Sequence, residues 1–308
     1  MTDTRPLVWM PFDAEELGSP PSTLRYERFL PEEHDGVPPS VSEVEFYVPP
    51  YRFSRSDYEL ISRMPELKVV QTVTAGVDHV RPFVPEGVLL CNGRGIHDAS
   101  TAELAVGLAI ASLRGIPGFV RAQDRGEWAP FTARSLADRT VLILGYGAIG
   151  AAIEERLAGF EVDVVRVARR VREGVHGFDE LDRLLPQADV VILIVPITEE
   201  TRGMVDRDFL ARMKDDALLV NVARGPVVDT DALVEALHTR RIHAALDVTD
   251  PEPLPAGHPL WTAPNLLISP HVGGASSAMW PRAYRLVREQ LERFAAGEPL
   301  ANVMTGDY

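Results

Sequence analysis

The sequence predicts two α/β domains, one of them a doubly wound parallel sheet, and three observations carry that expectation. The chain has 308 residues, too many for one small core and suited to two domains of roughly 100 to 200 residues each. Short apolar runs alternate with helix-like segments along most of its length, the pattern of a mostly parallel sheet. The third observation is the stretch 139–157, RTVLILGYGAIGAAIEERL. It reads as a buried strand, a three-glycine turn and the opening of a helix.

Each glycine of that turn has a physical reason. Gly145 permits the tight turn, Gly147 lets backbone approach a pyrophosphate, and Gly150 lets the helix that opens near Ala148 and Ile149 pack on the strand. The unpaired N–H groups and positive dipole end of that helix favour an anion with no basic side chain required. Residues 139–157 therefore predict dinucleotide binding in a Rossmann-type unit.

Taken in order, residues 7–10, 44–48, 69–73 and 88–90 read as strands, with a helix-like segment at 56–64. The span 12–43 is rich in Pro, Glu and Ser and is expected to be loop with at most one short helix. TAGVD at 74–78 follows a strand and suits either a plain turn or a backbone turn offering N–H groups to an anion. Residues 98–114 predict a long helix capped by Asp98 or Ser100 and bridging the two domains. Residues 115–138 are mixed, with Trp128 and Phe131 forming either a dimer surface or local packing. Strands are expected at 141–144, 162–167, 189–195, 217–222, 244–248 and 266–269, and helices at 178–185, 206–213, 230–237 and 283–294. No internal repeat or low-complexity tract is visible.

Composition narrows the class. Hydrophobic content of 45% with 25% charged residues is ordinary for a globular protein, and no apolar run reaches the ~20 residues that span a bilayer. The N-terminal residues lack a basic segment followed by a long apolar one, so a cytoplasmic location and no membrane association are expected. A net charge of −14 argues against a nucleic acid partner, whose phosphates are met by basic side chains. The single cysteine, Cys91, sits in an apolar run and reads as a strand residue rather than a nucleophile. Apart from His271, the histidines (His34, His79, His97, His176, His238, His243 and His258) show no metal-ligand spacing, and no metal is expected.

Chemistry in such folds gathers past the carboxyl ends of strands. Arg224, Glu252 and His271 each follow an expected strand. A guanidinium fork holds a carboxylate and polarises a carbonyl. An imidazole exchanges a hydroxyl proton near neutral pH, and a carboxylate beside it favours the imidazolium. Together they suit reversible hydride transfer to a 2-keto acid. Tyr51 and Arg52, past the second expected strand, either line a substrate pocket or belong to a solvated loop.

From about residue 44 to its end the chain resembles the D-isomer-specific 2-hydroxyacid dehydrogenase family, through TAGVD at 74–78, GYGAIG at 145–150, VPITEETRGMV at 195–205, NVARGPVVD at 221–229, ALDVTDPEPLP at 245–255 and ISPHVGG at 268–274. The resemblance implies that Arg224, Glu252 and His271 are catalytic and that the backbone of Ala75 and Gly76 holds the substrate carboxylate. It further implies nicotinamide contacts at Asp247, Ala223 and Thr101, pyrophosphate contacts at Ala148 and Ile149, and an adenosine pocket at Val195 and Pro196. It also implies a smaller, flavodoxin-like substrate domain, discontinuous over 1–97 and 276–308, around a dinucleotide-binding domain at 98–275. Pairing into a homodimer is expected on the same ground. The substrate would be glyoxylate, hydroxypyruvate or a bulkier relative. The family leaves two alternatives, a nucleotide-sensing corepressor-like protein and a dehydrogenase of an inorganic or one-carbon anion.

Cofactor choice is read from the second strand of the unit. An acidic residue about 20 positions past the glycine turn normally bonds the ribose hydroxyls. Here the strand ends in Ala168, Arg169 and Arg170, with Arg172 close behind, and Asp163 is acidic but opens the strand, at the wrong end for the ribose. Guanidinium groups there suit a 2′-phosphate. NADP is the expected cofactor, carried first by Arg169 and then by Arg170, with NAD and a merely solvated basic turn as the alternatives.

Overall fold

The computed structural model describes residues 3–52 and 54–305. It forms two compact units, Met1–His97 with Ser277–Tyr308, and Asp98–Ser276.

The first unit holds β1 (Leu7–Met10), β2 (Arg25–Arg28), β3 (Val44–Tyr47), β4 (Val69–Gln71) and β5 (Leu89–Cys91). All pair in parallel, in the order β2-β1-β3-β4-β5, the flavodoxin-like order. Every residue of β1 is buried, as an inner strand covered on both faces requires. Trp9, Phe29, Tyr47 and Ile61 pack on one face. On the other, Val8, Met10 and Phe46 meet Met279, Ala283, Val287 and Leu291 of the C-terminal helix Met279–Ala296. The helix-like segment at 56–64 becomes α1 (Arg55–Glu59) and a 3-10 turn at Leu60–Arg63. The span 12–43, expected to be loop, contains β2 and three short 3-10 turns. Its strand, RYER, has no buried residue. An edge strand this polar carries no apolar alternation to betray it.

The second unit runs α2 (Asp98–Arg114), α3 (Ile116–Asp124), β6 (Thr140–Leu144), α4 (Ala148–Leu157), β7 (Asp163–Val167), α5 (Leu181–Leu184), β8 (Val190–Leu193), α6 (Arg207–Arg212), β9 (Leu218–Asn221), α7 (Thr230–His238), β10 (His243–Leu246) and β11 (Leu266–Ile268). The six strands are parallel in the order β11-β10-β9-β8-β6-β7. Beyond β7 a parallel bridge joins Val167 to His176. Strand order reverses between β6 and β8, so a crevice opens at their carboxyl ends, where such sheets bind ligands. α2 lies on α4 and buries Ala102, Ala105, Leu108, Ala109 and Leu113. Both caps expected for α2, Asp98 and Ser100, lie inside the helix, Asp98 as its first residue; the Ser100 hydroxyl is 2.6 Å from that of Ser276. α6 and α7 are capped by Asp206, which accepts from the Phe209 N–H at 2.8 Å, and Asp229, which accepts from the Ala232 N–H at 3.0 Å. The mixed stretch 115–138 contains α3, against which Phe131 packs at 4.8 Å from the Phe119 ring.

Candidate active site

The glycine turn sits at the switch point. Gly145 has φ +112°, and a Cβ there would strike the backbone of Ile194 and Val195 past β8. Only glycine fits that conformation and that approach. A Cβ on Gly150 would lie 2.9 Å from the Gly145 carbonyl and 3.3 Å from Ile143 Cγ2, so the third glycine sets how closely α4 packs on β6. At Gly147 nothing lies within 4 Å of the position a Cβ would take. That opening precedes Ala148 and Ile149, the first residues of α4. Open backbone before a helix N-terminus fits the pyrophosphate of a dinucleotide. Val195 is buried and Pro196 exposed; the Pro196 carbonyl accepts from the Thr201 hydroxyl at 2.7 Å.

The loops after β9, β10 and β11 are locked together. Asn221 is buried, accepts from the Ala223 N–H at 3.0 Å and donates to the Arg224 carbonyl at 3.1 Å. Gly225 has no room for a Cβ because the Thr249 backbone lies against it. The loop carrying Arg224 is thus pressed onto the loop that carries Glu252.

Asp247, buried at the end of β10, organises the last loop. Its Oδ1 accepts from the Ser269 hydroxyl at 2.6 Å and the Val272 N–H at 2.9 Å, and its Oδ2 from the Gly273 N–H at 2.8 Å. Its carbonyl accepts from the His271 N–H at 2.7 Å. These bonds hold His271 at φ +52°, a left-handed conformation that costs a non-glycine residue on the order of 1–3 kcal/mol. The geometry aims His271 Nδ1 at Glu252 Oε1, with which it is hydrogen-bonded. Thr101 stands beside Gly273, 3.6 Å from the position its Cβ would take. Arg224, Glu252, His271, Asp247, Ala223 and Thr101 therefore share one unit with the glycine turn. Sequence reading gave no role to Asn221, Ser269 or Gly225. Their signal is a buried polar group or a glycine beside a reactive residue.

Arg169 and Arg170 follow β7 after Ala168 and are both exposed. Asp163 pairs with Thr140 at the opposite end of the strand.

In the first unit, Ala75 and Gly76 lie in the loop after β4. The Ala75 carbonyl accepts from Asn92 Nδ2 at 2.9 Å, the Thr74 carbonyl from the Gly93 N–H at 2.7 Å and the Gly76 carbonyl from the Thr74 hydroxyl at 2.8 Å. In a trans peptide the next N–H points away from the carbonyl, so the N–H groups of Ala75 and Gly76 turn away from those partners. Tyr51 stacks on His97 at 5.6 Å. Arg52, expected either to line a pocket or to belong to a solvated loop, is engaged in ion pairs. Its fork grips the fully buried Asp57 (2.5 and 2.8 Å) and reaches Glu32 at 2.6 Å, so it neutralises a buried carboxylate and closes its own loop. Among the described residues no group of three His, Cys, Asp or Glu side chains is placed to hold a metal ion, and no single helix is long and apolar enough to cross a membrane.

A doubly wound sheet with a glycine turn at its switch point, and a histidine–carboxylate pair and an arginine at neighbouring strand ends, defines a nicotinamide-nucleotide dehydrogenase. Residues 106–273 match the family model described as "D-isomer specific 2-hydroxyacid dehydrogenase, NAD binding domain". The glyoxylate reductase of Thermofilum pendens is 36% identical over 259 residues, 79% of this chain and 76% of that protein. A D-isomer specific 2-hydroxyacid dehydrogenase from Xanthobacter autotrophicus, solved with NADPH and MES, superposes with a TM-score of 0.81 at 32% identity, covering 97% of this chain and 98% of that one. An NADPH-dependent glyoxylate/hydroxypyruvate reductase from Sinorhizobium meliloti, solved with NADP and sulfate, gives a TM-score of 0.81 at 27% identity, with 97% of this chain and 98% of that one covered. The chain belongs to the D-isomer specific 2-hydroxyacid dehydrogenase family. It is an NAD(P)-dependent oxidoreductase of 2-keto and 2-hydroxy acids.

Proposed function

We propose that this chain reduces a small 2-keto acid, namely glyoxylate, hydroxypyruvate or a bulkier relative, with NADPH preferred to NADH. The observation that carries the reading is the His271–Glu252 pair, held by the Asp247 hub in the same unit as Arg224 and the glycine turn. Residues 1–97 with 276–308 form the substrate domain and 98–275 the dinucleotide-binding domain. The N–H groups of Ala75 and Gly76 take the substrate carboxylate. Arg224 polarises the keto oxygen through its fork. Because Glu252 accepts at Nδ1, Nε2 is the nitrogen from which His271 delivers a proton to that oxygen. When bound, the reduced nicotinamide supplies the hydride. Thr101, Ala223 and Asp247 would hold the nicotinamide, Ala148 and Ile149 the pyrophosphate, and Val195 and Pro196 the adenosine. Arg169 and then Arg170 receive the 2′-phosphate through charge-assisted bonds. The protein acts in the cytoplasm as a homodimer.

The test is a steady-state assay across 2-keto acids of increasing side-chain size, with NADPH and NADH in parallel. Turnover that is faster per unit concentration of NADPH is expected. No turnover with any keto acid overturns the reductase, and a preference for NADH overturns the cofactor choice alone.

A further inference from the structure

Tyr146, between the first two glycines of the turn, is held at each of its polar groups. Its N–H and that of Gly145 both donate to the Val167 carbonyl at 2.9 Å, at the end of β7. Its hydroxyl donates to Glu154, which also takes Arg166 Nε at 2.7 Å. Its carbonyl accepts from Arg172 Nη2 at 2.7 Å. The guanidinium carbon of Arg172 lies 5.4 Å from the centre of the tyrosine ring, within cation–π range. The same guanidinium donates through Nη1 to the Arg170 carbonyl at 3.3 Å.

The backbone brings Arg172 to this point by construction. Arg172 and Val175 close a tight hairpin through N–H to carbonyl bonds of 3.3 and 2.8 Å, with Gly174 at φ +70°. His176 then returns beside β7, donating to the Arg166 carbonyl at 2.9 Å and accepting from the Ala168 N–H at 3.0 Å. The loop 168–176 is therefore fixed at its base by the sheet. On its far side Arg172 fastens it to the glycine turn. One guanidinium thus spans the two loops that a phosphorylated dinucleotide must touch at once, the pyrophosphate turn and the ribose loop.

We propose that Arg172 is a positioning residue for cofactor discrimination: it ties the loop bearing Arg169 and Arg170 to the glycine turn and so sets the spacing between the pyrophosphate and 2′-phosphate sites. This rests on the NADP reading above. The role needs a forked donor that meets two carbonyls, not merely a positive charge. An ammonium has three donors on one flexible atom but no rigid planar fork, so it holds the two carbonyls met by Nη1 and Nη2 at a less defined spacing. A residue that instead contacted the phosphate directly would be served well by lysine.

The experiment titrates the full chain with NADPH and with NADH by nucleotide fluorescence, for the parent, Arg172→Ala and Arg172→Lys. Thermal melting of each variant without nucleotide checks the fold. For Arg172→Ala the dissociation constant for NADPH is expected to rise about tenfold, and that for NADH by less than about twofold, because NADH relies on a turn still fastened to Val167. Arg172→Lys should remain as weak toward NADPH as the alanine variant. A parent that binds NADPH while neither variant changes the NADPH/NADH ratio overturns the strut. So does a lysine variant restored to parental affinity, which would mark direct charge contact. A parent that binds neither nucleotide overturns the cofactor reading and the strut together.

Discussion

His271 occupies a left-handed backbone position because Asp247 and Ser269 hold it there, and its ring is set by Glu252. Each of these dependences gives a separate expectation. His271→Ala should reduce turnover by about 10² to 10⁴, the usual contribution of general acid–base catalysis, with nucleotide affinity nearly intact; an unchanged kcat would remove the residue from the mechanism. Glu252→Gln should lower kcat severalfold with nucleotide affinity nearly intact, because a neutral amide oxygen is a weaker acceptor for the His271 Nδ1 proton and orients the ring less firmly. An unchanged kcat would reject the pairing. Ser269→Ala removes one of the three donors to the Asp247 carboxylate, leaving the His271 loop less firmly held. A severalfold loss of kcat with little change in nucleotide affinity is expected. At this scale the proposed trio of Arg224, Glu252 and His271 stands out in the sequence because each member follows an apolar run. Asn221 and Ser269 do not, since a polar residue ending a strand looks the same whether it faces solvent or braces a neighbouring loop. Arg52 shows a contact that no sequence pattern carries. Its fork suits a substrate carboxylate, but only the fold reveals the buried Asp57 that takes it.

Elements were readable where hydrophobic pattern and burial coincide. All six strands of the second unit were expected near their observed places: the four inner ones because strands covered on both faces are continuous apolar runs, and the edge strands β7 and β11 because they keep the apolar runs at 164–165 and 266–268. β2 and α3 were missed for the same reason reversed, since an exposed edge strand and a partly exposed helix with Pro117 and Gly118 in its first turn give no clean period. Element ends also carry charge. Asp189, just before β8, accepts from Lys214 at 2.7 Å and the Thr140 N–H at 3.0 Å, with Arg139 at 3.2 Å. Burial alone would raise its carboxyl, but these partners outweigh burial and hold it below the usual carboxylate range. A depressed carboxyl contributes stability that is present above the unfolded value of 3.8 and lost as pH falls through the folded one. Asp189→Asn should therefore cost about 1 to 2 kcal/mol at pH 7, roughly 2 to 8 °C in melting temperature. The gap between parent and variant should begin to narrow below about pH 4 and close only below the folded value. A gap that is constant from pH 7 to pH 3 would show that charge plays no part there.

For the whole molecule, the open question is assembly. The net charge of −14 sets copies of the chain against one another at long range, so association needs an apolar surface that acts at short range. One region of the second unit supplies it. Trp128 is 95% exposed and Phe131 55%, and α3 beside them exposes Ile116, Phe119 and Val120. Large apolar residues gathered in this way on one element and its flanking loop exceed the scattered exposure that needs no explanation. A patch used by both copies about a twofold axis closes into a dimer and leaves no apolar face open for further growth. The expected mass in sedimentation at micromolar concentration is therefore twice the 33.9 kDa of one chain. Salt should strengthen the association, because it screens the repulsion between acidic copies and leaves the apolar contact in place. Trp128→Glu together with Val120→Glu should give a monomer that retains the parent's circular dichroism, since neither side chain is buried within its own chain. A parent chain that sediments as a monomer at tens of micromolar would exclude the dimer. A double variant that remains dimeric would move the interface away from α3.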